Sequence, residues 1–318
     1  MKQILLTCDT EVGELSRDCD LGFEIFTLGK IDGEQVGVPL INKIAAEYRA
    51  IVNHFVDVYH PLYEHEFCSA CEDILSNGHF VGLHTHPGSR FGKRYMYEYE
   101  IGEQKKILTW GKEWLFKNIG IEVKTHRAGG YGADTETYSA LLETGFTQDS
   151  SFFYQAKECH MDYAHINRVS CIDKNLWEFP VTIYKESRFL LGQERHSIFR
   201  KLDFRYGSNA ETIIEIIRRA PKNSILVLFL HSFNFLHGTY DKRKKKFGKL
   251  SVDRRLIEEY HKLLSDIHDM TDTVFTDFSQ VYVDDLSDDF LDETRVNISV
   301  FDVVKNRLQD QLWGKIPF

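Results

Sequence analysis

The chain has 318 residues, 42% hydrophobic and 13% aromatic, enough to bury the core of one large domain or two of ordinary size. Its 48 acidic against 39 basic side chains give a formal net charge of −9, which argues against a general affinity for nucleic acid. No stretch approaches the roughly 20 apolar residues of a membrane span, and the apolar run after Met1 is too short for a secretory signal. The six cysteines are scattered rather than arranged as a disulfide framework, so a cytoplasmic address is expected. Cys68 and Cys71 form a lone C-x-x-C in a segment that reads as helical, where a pair of buried thiols is the expectation.

Short apolar runs alternate with amphipathic segments along the chain. Residues 3–8 read as a first strand, followed by a polar, Gly-rich stretch over 12–38. Residues 39–48 read as a helix opened by Pro39, residues 50–59 as a second strand, and 63–76 as a helix stopped at Asn77-Gly78. The stretch Val81-Gly82-Leu83-His84-Thr85-His86-Pro87 reads as a buried strand ending in two histidines. A long helix is expected over 100–118, a strand over 121–125 leading into His126-Arg127, and a helix over 134–143 closed by Gly145. Residues 177–184 read as a strand and 210–219 as a helix stopped at Pro221. Residues 225–230 form the most apolar strand, running into His231, and a helix over 252–267 and a strand over 273–278 follow. The run over 241–249 reads as a basic loop, residues 284–293 as an acidic linker, and Phe301, Val304, Leu308 and Leu312 as the apolar stripe of a terminal helix. Strands alternating with helices, several of them apolar throughout, indicate a parallel α/β sheet or barrel.

Successive strand residues face opposite ways, so His84 and His86 project from one side of their strand end. Two imidazoles there make half of a metal site; the alternative is a polar pair at the sheet mouth. In parallel α/β folds ligands sit at the carboxyl ends of the strands. Here Asp9-Thr10-Glu11, His84-Thr85-His86, His126-Arg127, Asp149 and His231 all fall at such ends, which surface decoration would not produce. Two imidazoles and a carboxylate suit Zn²⁺. Either Asp9 or Glu11 can be that carboxylate and the other a free base, with a histidine from another strand as acid. Metal-assisted hydrolysis of an amide or ester follows.

These motifs, in this order, resemble the polysaccharide deacetylases of the NodB-homology type (carbohydrate esterase family 4). Thr7-Cys8-Asp9-Thr10-Glu11 stands where the family has Thr-Phe-Asp-Asp, and His84-Thr85-His86-Pro87-Gly88 where it has His-Ser/Thr-x-x-His. The latter resembles a His-x-His-Pro variant associated with surface-polysaccharide gene clusters. Arg127-Ala128-Gly129-Gly130-Tyr131-Gly132 matches Arg-x-Pro-x-Gly with glycine for proline. Asp149-Ser150-Ser151 is similar to the fourth motif and Leu228-Phe229-Leu230-His231 to the fifth, with Trp177-Glu178-Phe179-Pro180-Val181-Thr182 between them. The resemblance implies a distorted (β/α) barrel of about seven parallel strands over residues 1–283, with 284–318 as linker and amphipathic helix. It implies Asp9 as base oriented by Arg127, His231 as acid held by Asp149, and Glu11, His84 and His86 as ligands of Zn²⁺ or of Co²⁺ or Ni²⁺. Gly130, Tyr131 and His126 would contact substrate. The implied substrate is an N-acetylated sugar, polymeric, lipid-linked or nucleotide-linked, with assembly through the terminal helix as a further expectation. An amidohydrolase or esterase on a non-sugar compound, or a non-catalytic sugar-binding relative, are the alternatives.

Overall fold

Apolar strands that need cover on both faces, joined by helices apolar on one side, can settle only as a layered α/β sheet. The computed structural model describes residues 1–12, 22–173, 175–203, 209–241 and 246–299. In chain order its first strands are β1 (Lys2–Thr10), β2 (Lys30–Ile31), β3 (Glu34–Gln35), β4 (Val52–Val56), β5 (Phe80–Thr85), β6 (Thr125–Ala128), β7 (Gln148–Asp149) and β8 (Ser170–Asp173). They are followed by β9 (Leu176–Glu178), β10 (Ile183–Leu190), β11 (Gln193–Lys201), β12 (Ile225–His231), β13 (Leu236–Asp241), β14 (Lys246–Val252), β15 (Thr273–Phe275) and β16 (Val296–Ser299). The helices are α1 (Val38–Glu47), α2 (Glu64–Ser76), α3 (Gly88–Phe91), α4 (Ile101–Ile119), α5 (Thr135–Glu143), α6 (Ala210–Arg219) and α7 (Arg254–His268).

The strands β12-β1-β4-β5-β6-β7-β9 lie side by side and all run parallel, with β8 antiparallel on β9 and β15 parallel to the start of β1. This curled sheet with its helices is a half-barrel, the distorted (β/α) barrel expected from the motifs. Irregular chain, not a strand, spans the gap. Val227 N–H donates to Thr182 Oγ1 (2.8 Å), Leu202 N–H to the Thr182 carbonyl (2.8 Å), and Phe229 N–H to the Leu202 carbonyl (3.0 Å). Pro180 accounts for the irregularity, because it has no N–H for a ladder. The strand expected over 177–184 is therefore two, β9 and β10, with Pro180 in the break.

Alternation along β1 divides the core. Ile4, Leu6 and Cys8 face outward against α1, α6 and α7, whereas Leu5 faces inward with Phe55, Phe179, Ile225, Val227 and Phe278. Each large apolar side chain so buried contributes about 1.5–3 kcal/mol, and the inward cluster fills the barrel floor. Asp9, His84, Arg127 and His231 lie above it, at the carboxyl ends of β1, β5, β6 and β12. Helix ends follow local chemistry: Asp134 accepts from Thr137 N–H to start α5, Asp253 from Leu256 N–H to start α7, and Gly120 in the left-handed region (φ 79°) ends α4.

Several elements differ from expectation. The strand expected over 121–125 forms instead at Thr125–Ala128, where His84↔Arg127 pairing with β5 fixes the register. The basic run over 241–249 belongs to a β13–β14 hairpin whose residues 242–245 are outside the described set. Asp289 accepts from the Ile166 and Asn167 N–H groups, Phe290 is buried, and β16 pairs parallel with β10. The stripe Phe301, Val304, Leu308 and Leu312 lies outside the described residues. Cys71 is buried and Cys68 half-buried on α2, both as free thiols. Among the described residues no helix is long and apolar enough to cross a membrane.

Candidate active site

β5 sends His84 into the barrel mouth, and His86, one residue beyond the strand, follows on the same side with its ring 4.7 Å away. His84 Nδ1 lies 3.0 Å from the Arg127 carbonyl. A carbonyl can only accept, so Nδ1 carries the proton and Nε2 presents its lone pair to the site. That Nε2 is 3.7 Å from Glu11 Oε2 and 3.5 Å from Asp9 Oδ2, while His86 Nε2 is 2.6 Å from Glu11 Oε2. Ligand atoms of Glu11, His84 and His86 all fall within 4.8 Å of one another. Burial pushes Glu11 up, but His86, by charge and hydrogen bond, and then His84 and His231 outweigh it and hold the carboxyl at about 2. Burial, only partly opposed by Asp9, pushes His84 down to about 4. An ionised carboxylate and a neutral imidazole are the forms that ligate, and this nitrogen–oxygen donor set suits Zn²⁺ or a similar divalent ion.

Asp9 ends β1 beside this cluster and is held by Arg127. The guanidinium is fully buried and uses most of its fork. Nη1 donates to Asp9 Oδ1 (2.8 Å) and Thr7 Oγ1 (3.1 Å), Nε to the Ser150 carbonyl (3.1 Å), and Nη2 to Ser150 Oγ (2.9 Å). Its plane lies over Phe55, with Cζ 4.1 Å from the ring centre. A buried charge satisfied this completely fixes Asp9 with Oδ1 occupied and Oδ2 turned toward His84.

His126 and Asp149 occupy a different place from the one expected. Arg127 faces inward, so its neighbour His126 faces outward, toward Phe146 under the helices. His126 is fully buried, with Nδ1 2.7 Å from Asp149 Oδ1 and Nε2 3.0 Å from Thr85 Oγ1. Both nitrogens are used internally, so the expected substrate contact by His126 is corrected. Asp149 lies opposite His126 in the β6–β7 register and also accepts from Ser151 Oγ (2.7 Å). Its expected pairing with His231 is likewise corrected, since its carboxylate is bound to His126 and Ser151 on the outward side of the sheet. Glu178 completes this outward cluster. Its Oε1 accepts from Phe152 N–H (3.0 Å) and its Oε2 from Tyr138 Oη (3.3 Å). Burial, then the charge of Asp149 and the hydrogen bond between the two, push the Glu178 carboxyl well above its usual range. Glu178 therefore carries a proton, and Asp149 Oδ2, buried and without another donor among the described residues, receives it.

His231 closes the mouth from β12. Its Nε2 is 3.9 Å from Glu11 Oε1, and its ring is stacked on Phe233 and set edge-on to Phe229, each centroid 4.7 Å away. The turn after β6 forms the remaining wall. Gly130 (φ 57°) and Tyr131 (φ 60°) both take the left-handed conformation, and a Cβ on Gly129 would stand 2.5 Å from His86 ring atoms. Tyr131 Oη accepts from Lys201 Nζ (3.3 Å), and burial, then the Asp9 charge, push the phenol well above its usual range. Burial pushes the Lys201 ammonium down, against the charges of Asp203 and Asp9. Lys201 and Asp203 are absent from the motifs; the signal in the sequence is an opposite-charge pair two residues apart at the end of β11.

No family model matches the sequence, and no curated protein matches it. Among solved structures the chain is similar to one assigned as a polysaccharide deacetylase from Mycobacterium smegmatis, at 19% identity and a TM-score of 0.56, covering 88% of each chain. It is similar to another so assigned from Pseudomonas aeruginosa, at 12% identity and TM-score 0.54, covering 87% of this chain and 88% of that one. It is also similar to PuuE allantoinase, at 11% identity and TM-score 0.54, with the same coverage. At these identities the likeness is one of fold, and the fold of this chain is that of the polysaccharide deacetylases.

Proposed function

We propose that the protein is a metal-dependent N-deacetylase that hydrolyses the acetamide of an N-acetylated sugar in a surface polysaccharide or its precursor. One observation carries the reading: Glu11, His84 and His86 converge beside Asp9, itself fixed by a fully buried arginine, with His231 on the opposite wall. Glu11, His84 and His86 would hold the ion, and Lewis-acid polarisation of an amide carbonyl and of water is the chemistry it supplies when bound. Asp9 is the general base. Arg127 occupies Oδ1, so a water is deprotonated at Oδ2, on the side of the histidines. His231 is the general acid, delivering a proton from Nε2 to the departing amine. Phe229 and Phe233 set its ring plane, and Glu11 faces it in place of the expected Asp149. The left-handed turn at Gly130 and Tyr131 forms the wall against which the sugar sits.

Metal analysis of the purified protein, followed by acetate release from a panel of N-acetylated sugars, nucleotide sugars and oligosaccharides, tests this reading. One divalent ion per chain and acetate release are expected, both lost in His84→Ala. Asp9→Asn is expected to retain the ion and lose turnover by at least about 100-fold. Wild-type turnover by a folded Asp9→Asn variant would remove Asp9 as base. Ring opening of cyclic ureides without acetate release from any sugar would move the protein to the allantoinase-like alternative.

A further inference from the structure

The wall between β12 and the turn after β6 holds a cation that no motif accounts for. Lys201 Nζ lies 3.7 Å from the centre of the Phe229 ring, with the Tyr131 and Phe153 rings at 5.2 and 5.9 Å. Phe229 is edge-on to His231, and its ring is 5.5 Å from the guanidinium carbon that holds Asp9, so this aromatic recess adjoins the reacting groups. An ammonium has three N–H donors. Among the described residues Tyr131 Oη (3.3 Å) and Asp203 Oδ2 (3.6 Å) face it, which leaves one donor for a ligand. The side chain remains 16% exposed, so it is desolvated on most sides without being closed off from solvent. Asp203 is the carboxylate that faces the ammonium. Asp9 is neutralised by Arg127, and Glu11 is committed to the histidines.

Resting on the deacetylase reading, we propose that Lys201 anchors a negatively charged substituent of the acetamido sugar, so that the preferred substrate class is anionic. A carboxylate or a phosphate offers the acceptor oxygens and the charge that a partly buried, ring-flanked ammonium selects. A neutral sugar hydroxyl would take the hydrogen bond without the charge.

Acetate release by the metal-loaded protein is measured on N-acetylglucosamine, on its 1- and 6-phosphates, and on 2-acetamido-2-deoxyglucuronate. The wild type is expected to favour a charged sugar by at least about tenfold in kcat/KM, with an advantage that shrinks as salt rises. Lys201→Met is expected to collapse that preference by about 10–100-fold, mainly through KM, and Lys201→Arg to restore part of it. The phosphate and uronate arms show which anion is recognised. Equal rates on charged and neutral sugars in the wild type, or equal losses on both in Lys201→Met, would overturn the proposal. If no sugar releases acetate, the deacetylase reading fails separately. Calorimetric binding of the same sugars then decides: charged-sugar binding that Lys201→Met removes supports Lys201 as anchor, and binding that it leaves unchanged, or none at all, rejects it.

Discussion

Replacing Glu178 with glutamine should stabilise the protein, increasingly so as the pH rises. Glu178 is fully buried, and its carboxyl is held protonated by burial and by Asp149. In the unfolded chain the same group releases its proton at about pH 4.3. A carboxyl whose folded pKa is raised contributes stability that is fully present below the unfolded value. That contribution is lost as pH rises toward the folded value, because the native state must hold a proton the unfolded state gives up. One whole proton of difference costs about 1.4 kcal/mol per pH unit, which is the upper bound on the slope. Glutamine is isosteric. Its amide N–H donates to Asp149 at any pH, its carbonyl accepts from Phe152 N–H, and the Tyr138 hydroxyl can accept as readily as donate. Urea unfolding of both proteins at pH 5.5, 6.5 and 7.5 reads the difference, in which titrating groups outside the Glu178–Asp149–His126 cluster cancel. The variant should gain as pH rises, by up to about 1.4 kcal/mol per unit. Stabilities that run parallel with pH, or a variant equally weakened throughout, would refute a protonated Glu178.

Two other substitutions probe the mouth itself. Arg127→Lys keeps the charge but loses the fork that ties Asp9, Thr7 and Ser150 together; kcat should fall about 100-fold with KM little changed, and denaturant unfolding should show a loss of about 3 kcal/mol. An unchanged kcat would show that Asp9 needs no orientation. Gly129→Ala places a methyl group against the His86 ring, so metal affinity, read by competition with a chromogenic chelator, should drop about 10–100-fold while the fold persists. Unaltered affinity would remove His86 from the ligand set.

The strand-end residues are legible in the sequence because a parallel sheet puts its ligands at one end and a period of two decides which side chains share a face. Asp9, Glu11, His84, His86, Arg127 and His231 are found together on that logic alone. What it misses comes from strand boundaries. With a strand over 121–125, both His126 and Arg127 fall in the connection beyond it, where either could face a ligand. With the strand at Thr125–Ala128 they are adjacent strand residues and must point apart. That shift turns His126, and with it Asp149, into the outward cluster capped by Glu178. Lys201 is missed for another reason: residues 183–201 mix charged and aromatic side chains without clean alternation, and the β10–β11 hairpin that delivers the lysine is set by pairing across its two strands.

Two of the departures from the deacetylase motifs then prove to be linked. A histidine pair spaced by two, not four, leaves His86 one residue past β5, and its ring comes to lie over the turn that follows β6. The third position of the Arg-x-Pro-x-Gly element belongs to that turn, and any Cβ there would stand 2.5 Å from the His86 ring. Proline carries such a Cβ and glycine does not, so Gly129 is the residue that a His-x-His arrangement requires. The same turn enters the left-handed region at Gly130 and Tyr131, and Tyr131 lies against Phe229 and Lys201. Spacing in the second motif and glycine in the third are therefore coupled. Restoring proline at position 129 alone should displace His86, and recovery would require moving the second histidine as well.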